Sequence, residues 1–184
     1  MTAKPSPKKL PGPIDVSASQ LDEGPHEECG VVGLSGIDNA ASLAFTALYS
    51  LQHRGQESAG ICVLADGEAR LHKGAGLVAD VFSADVLKGL PGRTAVGHVR
   101  YSTAGGSEVL NAQPIVVRYA EGDLAVAHNG NLTNAHDLKK QLVGEGAIFQ
   151  TTSDSEVIVH LIARSRERTI DRQVVDALQQ LEGA

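Results

Sequence analysis

The sequence predicts an α+β domain built largely from antiparallel sheets. Short apolar runs come in pairs separated by tight-turn residues, helical periodicities are few and fall mostly late in the chain, and no regular strand–helix alternation appears. There is no internal repeat.

Met1–Glu28 differs in character from the rest of the chain. It is rich in Pro, Ser, Lys and acidic residues, and Leu10, Ile14, Val16 and Leu21 keep no sustained period, which is the composition of a disordered leader. At Cys29 the pattern changes. Val31, Val32 and Leu34, punctuated by Gly30, Gly33 and Gly36, predict a short buried strand that another backbone approaches closely. Asp38 or Asn39 is positioned to cap a helix through Ala44, Leu48 and Leu51, ended by Gly55. Ile61–Ala65 and Ala69–His72 read as two strands joined at Asp66-Gly67. Phe82–Leu90 is a short helix stopped by Pro91-Gly92, and Thr94–Tyr101 is a strand leading into a Gly/Ser-rich loop up to Gln113. Ile115–Tyr119 and Leu124–His128 form a further hairpin around Glu121-Gly122-Asp123. Asn134 caps a helix to Val143, and Ser153 or Asp154 caps the next, whose apolar face is Val157, Ile158, Leu161 and Ile162. A last helix, Asp171–Leu181, places Val174, Val175, Leu178 and Leu181 at helical spacing.

Composition bounds the function. The 184 residues suit one domain with a sizeable core, 42% of them are hydrophobic, and with 3% aromatics and no Trp that core rests on Val, Leu, Ile and Ala. A net charge of -6 without like-charged blocks argues against nucleic acid or an acidic membrane surface as the main partner. No apolar run approaches the ~20 residues that span a bilayer. Pro5, Pro7, Pro11 and Pro13 interrupt the place where a signal peptide would need an apolar stretch, so the cytoplasm is the expected location. Two cysteines, Cys29 and Cys62, make neither a disulfide framework nor a zinc motif. Cys29 with His26 and Glu28 lacks metal-ligand spacing, so no metal is expected.

Cys29 sits at the seam between leader and domain. Cut before it, the chain would present a thiol and a free α-amine on one residue. Such amines titrate near ~7.7–8.0, so a useful fraction is neutral and can act as base toward the residue's own thiol. Cys62, alternating with Ile61 and Val63, reads as a buried strand residue. Most other candidates admit two readings each. Asn129-Gly130 is either a type I′ turn or a pair of N–H donors for a developing oxyanion. Arg100 is either a solvated end-of-strand charge or a bidentate grip on a carboxylate, beside a Gly-rich loop able to close. Asp154 either caps a helix or pairs with a substrate ammonium, while Arg54-Gly55 after the first helix reads only as a cap with a favourably placed charge.

Six segments fall in order: Cys29–Gly33, His53–Gly60, Gly97–Gly105, Asn111–Pro114, His128–Leu132 and Thr152–Glu156. Together they resemble the class II glutamine amidotransferase domain and, within it, the amidophosphoribosyltransferase family of purine synthesis. The resemblance runs over Cys29–Ala184. Glucosamine-6-phosphate synthases share the chemistry, but they have a tryptophan after the arginine, where this chain reads Tyr101-Ser102-Thr103-Ala104-Gly105. They also lack the His-Arg-Gly-Gln-Glu-Ser form of residues 53–58.

The resemblance implies a four-layer αββα sandwich of two antiparallel sheets, the N-terminal-nucleophile hydrolase fold. It implies that Cys29 attacks the amide of L-glutamine and that Asn129 and Gly130 form the oxyanion hole. Arg100 would bind the α-carboxylate and Asp154 the α-amino group, while Arg54, Tyr101 and Thr103 would support the pocket and its closing loop. A leader removed autocatalytically, as in some members, agrees with Glu27-Glu28. Against the family the chain is expected to be incomplete at its C-terminus, without the last strands of this domain and without the phosphoribosyltransferase domain. Magnesium and any iron–sulfur cluster would belong to that domain, so no cofactor is expected here. A companion chain carrying it is an expected partner, and family members are homo-oligomers. An inactive fragment, or a subunit of a split enzyme, is the alternative expectation.

Overall fold

The glycine-punctuated run after Cys29 is a strand, β1 (Gly30–Leu34), in a computed structural model that describes residues 29–101 and 109–183. The expectations for Met1–Glu28, for Thr103 and for the loop through Ser107 lie outside those residues. β1 pairs with β4 (Thr94–Arg100), β4 with β2 (Ser58–Ala65), and β2 with β3 (Glu68–Ala75), giving a sheet of order β1-β4-β2-β3 with every pair antiparallel. Asp66 and Gly67 turn β2 into β3 with φ of 54° and 82°, the two positive values a type I′ hairpin turn requires. β5 (Ile115–Tyr119) and β6 (Gly122–Val126) form a second, two-stranded antiparallel sheet.

Period-two alternation gives β2 two faces. Ala59, Ile61 and Val63 are buried against α1 (Ala40–Ser50), whose Ala40, Ala44 and Leu48 are wholly buried. The alanines let the helix lie close, and full burial of a residue such as Leu48 or Ile61 contributes about 1.5–3 kcal/mol. Two short helices, α2 (Val78–Val81) and α3 (Ala84–Lys88), close the rim of this core with Val78 and Phe82. The opposite face of β2 meets the second sheet. Gly60 lies so close to the Gln113 carbonyl oxygen that a Cβ would collide with it. Ala69 N–H donates to Asp123 Oδ2 at 2.8 Å, and Lys73 Nζ donates to Ala112 O at 2.5 Å. α4 (Ala135–Gly144), α5 (Glu156–Arg164) and α6 (Ile170–Leu178) form a second core with Ile115 and Leu124, so the order of layers is helix, sheet, sheet, helix.

Several local expectations are corrected. The helix expected over Phe82–Leu90 is two, because Phe82 is extended and Ser83 starts a new helix by accepting from Val86 N–H at 3.3 Å. Neither Asn39 nor Asn134 caps with its side chain. Asn39 sits in the left-handed region, and Asn134 bonds Gln180 O and Glu182 N instead. Between α1 and Gly55 the chain makes a 3-10 turn, Gln52–Arg54, and Gly55 is extended rather than left-handed. The second hairpin turns at Ala120-Glu121, and β6 stops before His128. On α6, Gln173 and Ala177 are buried while Val175 and Leu178 are exposed. Gln173 is satisfied there by Tyr119 Oη, Glu121 and Glu167 O.

Candidate active site

Cys29 immediately precedes β1, and strand register decides its neighbours. Gly30 lies opposite Val99, which sets Cys29 beside the end of β4. Tyr101 N–H donates to Cys29 Sγ at 3.4 Å, and the thiol donates to Tyr101 O at 3.6 Å. Tyr101 therefore meets Cys29 through its backbone, and the residue is exposed.

β2 flanks the other edge of β4 with Ser58 opposite Arg100, which delivers Glu57 to the same place. Glu57 N–H donates to Arg100 O at 3.1 Å, and Arg100 Nη1 donates to Glu57 Oε1 at 3.1 Å. The pair is only 21% and 16% exposed, and the second Glu57 oxygen is buried without a partner among the described residues. Arg100 is thus a held, largely desolvated guanidinium rather than a solvated strand-end charge. Gly55 makes this approach possible, because a Cβ there would stand 2.7 Å from the Arg100 carbonyl carbon. From the adjoining 3-10 turn, Arg54 Nε donates to Cys29 O at 3.3 Å.

The segments that follow the second sheet supply the remaining groups. Asn129 Nδ2 donates to Cys29 O at 2.6 Å across 100 residues of sequence. Asn129 does not have the positive φ of a type I′ turn, which removes the hairpin reading. Asp154 precedes α5 without capping it; the N-cap is Ser155, which makes no capping bond. The Asp154 carboxylate instead accepts Leu132 N–H at 2.9 Å, just past Asn129-Gly130, and Ser155 Oγ at 3.3 Å. Gly130 is exposed in that same segment.

Four predicted residues, Cys29, Arg54, Tyr101 and Asn129, meet directly. Arg100 joins them through the β4 end, and Asp154 through Leu132. Three polar residues to which the sequence assigns no role also belong here: Glu57 on Arg100, and Gln113 with Ser155 beneath His128. Gln113, between Ala112 and Pro114 in an apolar stretch, carries a visible signal, since a buried amide there must find partners. His98, two residues before Arg100, is buried with neither ring nitrogen in hydrogen-bond geometry among the described residues. Burial brings its pKa down to about 4, with the His128 backbone opposing and the charges of Arg100 and His128 adding to the fall. Burial, then the charge of Asp123, pushes the Cys62 thiol up to about 11, so it stays protonated and inert. Among the described residues no group of three or more His, Cys, Asp or Glu could hold a metal ion. Nor is any described helix long and apolar enough to cross a membrane.

The domain of two antiparallel sheets between helices is a glutamine amidotransferase domain by its match to a family model of that description, which covers residues 98–184. The chain is 51% identical over 162 residues to an amidophosphoribosyltransferase from Lacticaseibacillus casei, covering 88% of this chain and 84% of that one. It is 48% identical over 182 residues to the chloroplastic amidophosphoribosyltransferase 2 of Arabidopsis thaliana, covering 97% of this chain and 32% of that one. The solved glutamine phosphoribosylpyrophosphate amidotransferase of B. subtilis matches with a TM-score of 0.76 at 47% identity, over 83% of this chain and 33% of that one. The chain belongs to the amidophosphoribosyltransferase family. It spans about a third of the length of the plant relatives it matches.

Proposed function

We propose that this chain hydrolyses L-glutamine to glutamate and ammonia with Cys29 as an N-terminal nucleophile, as the ammonia-supplying half of an amidophosphoribosyltransferase. The observation that carries the reading is the convergence on Cys29. Its carbonyl oxygen takes N–H donors from Arg54 and from Asn129, in the segment that follows β6, and its thiol sits on the Tyr101 backbone. Two side chains from separate elements thereby fix the backbone of Cys29 at the end of β1, and with it the place of the thiol.

In the proposed reaction, removal of Met1–Glu28 frees the Cys29 α-amine, which accepts the thiol proton. The sulfur attacks the side-chain amide carbon, and the amide oxygen gains negative charge. One Asn129 N–H holds Cys29 O, and the second, with Gly130 N–H, stabilises that oxyanion. The C–N bond breaks, ammonia leaves with the proton from the α-amine, and a thioester remains. Water then cleaves the thioester, releasing glutamate and restoring the thiol. Arg100, with Glu57 holding one N–H, presents its others to the substrate α-carboxylate, and Asp154 takes the α-ammonium. No cofactor takes part in this half of the reaction. The ammonia would pass to a phosphoribosyltransferase unit, on this polypeptide or on a companion chain, in the first committed step of purine synthesis. A reducing cytoplasm suits the free thiol.

The test is the intact mass of the purified chain before and after a glutamine-mimicking diazoketone, paired with glutamate release. The expected result is a mass beginning at Cys29, one adduct, and loss of processing, adduct and glutamate release in Cys29→Ala. Glutamate release that survives Cys29→Ala, or an adduct on Cys62, would overturn the proposal.

A further inference from the structure

We infer that Gln113 and Ser155 are positioning residues that tie Asp154 to the His128–Gly130 segment, and that their hydrogen bonds hold His128 in its Nδ1–H tautomer. The roles of Asp154 and Asn129 in this inference rest on the proposed glutaminase reading.

The argument is donor and acceptor accounting around one hydroxyl. Ser155 Oγ, on a residue 1% exposed, has three neighbours: Gln113 Nε2 at 3.2 Å, His128 Nδ1 at 3.2 Å and Asp154 Oδ1 at 3.3 Å. A hydroxyl has one proton and two lone pairs, so it fits three partners only by donating one bond and accepting two. The Gln113 amide orientation is decided at its other end, where Oε1 accepts His128 N–H at 2.7 Å, so Nε2 must face Ser155 as a donor. Asp154 can only accept. If the Ser155 proton goes to Asp154, His128 Nδ1 must donate, and all groups are satisfied. If it goes to His128 instead, a hydroxyl lone pair faces the carboxylate at 3.3 Å and is left without a donor. The first arrangement is the stable one.

Its consequence is spatial. Asp154 is held at one oxygen by Leu132 N–H and at the other by Ser155, while Gln113 holds the backbone of His128 immediately before Asn129. Gln113 itself is 6% exposed and comes directly after Ala112, whose carbonyl takes the Lys73 ammonium from the first sheet. One amide therefore sets the ammonium-binding carboxylate and the oxyanion side in a common frame anchored to both sheets.

The test uses the full chain labelled with 15N in its histidine rings, at a pH where His128 is neutral. Two-bond correlation spectra should show His128 protonated at Nδ1, and Ser155→Ala should move the proton to Nε2, the form an unconstrained histidine side chain prefers. An Nε2–H ring in the unsubstituted chain would overturn the inference without need of any variant. In kinetics, Ser155→Ala should raise KM for glutamine about tenfold with kcat within about threefold, because binding rather than chemistry loses its support. Gln113→Glu, which keeps the acceptor for His128 N–H and loses the donor to Ser155, should do the same. With the substrate lacking the α-amino group, 4-carbamoylbutanoate, both variants should match the unsubstituted chain. Equal KM increases for both substrates, or none for either, would refute the positioning role. If the unsubstituted chain releases no glutamate, the glutaminase reading fails, and the tautomer measurement on the same sample still decides the hydrogen-bond relay.

Discussion

Glu57→Ala separates a held arginine from one that strand geometry alone would aim. The Arg100–Glu57 bond is 3.1 Å long between side chains about four-fifths buried. A charge-assisted hydrogen bond of that kind contributes about 1.5–3 kcal/mol. The second Glu57 oxygen is buried without a partner among the described residues, and its desolvation offsets part of that gain. The net stability loss should therefore be about 1–2 kcal/mol, a fall in Tm of about 3–6 °C for a chain of this size. The larger consequence is for binding. On the proposed reading, in which Arg100 grips the substrate carboxylate, the guanidinium freed from Glu57 has rotamers to lose, and KM for glutamine should rise about tenfold, or ~1.4 kcal/mol, with kcat little changed. Glu57→Gln keeps a neutral acceptor at the same position and should raise KM by about threefold. Glutamate release against glutamine concentration, with a thermal melt of each variant, reads both effects. A KM unchanged within twofold while Tm falls would show that β4 aims Arg100 unaided and that Glu57 is purely structural.

Gly60→Ala should cost about 1–3 kcal/mol of stability, seen in the denaturant midpoint, because the added methyl collides with the Gln113 carbonyl between the sheets. His98 titrates at about 4 in the fold against an ordinary 6.5, so between those values the unfolded chain takes up a proton that the folded chain refuses. Its contribution is complete above pH 6.5 and is lost as the pH falls to 4, by about 3 kcal/mol. His98→Leu should flatten the pH dependence of stability in that window, and an unchanged slope would contradict the buried neutral imidazole. At pH 8 about one Cys62 thiol in a thousand is ionised, so iodoacetamide should alkylate Cys29 in the folded chain and reach Cys62 only after unfolding. Rapid labelling of both would refute that assignment.

Period and turn chemistry, which are local, are legible in the sequence. The strands around Ile61, Val99 and Val117, the Asp66-Gly67 turn and the apolar stripe of α5 all appear where their residues place them. The family is legible because its motifs are contiguous runs that carry their residue identities with them. What the sequence does not specify depends on which strand lies beside which. The order β1-β4-β2-β3 is what sets Cys29 beside Tyr101 and Glu57 beside Arg100, and no one-dimensional spacing encodes that order. Caps are hard to read for a related reason. Asn134 and Asp154 have side chains suited to capping, yet tertiary partners at Gln180, Glu182 and Leu132 claim them, and a local preference of about 1 kcal/mol yields to a tertiary partner. The same competition buries Gln173 on α6 in place of Leu178, because Tyr119 and Glu121 offer the amide hydrogen-bond partners. Residue types and their local order determined the elements and the chemistry on offer. The pairing of the strands and the packing of one sheet on the other decided which of those side chains face Cys29.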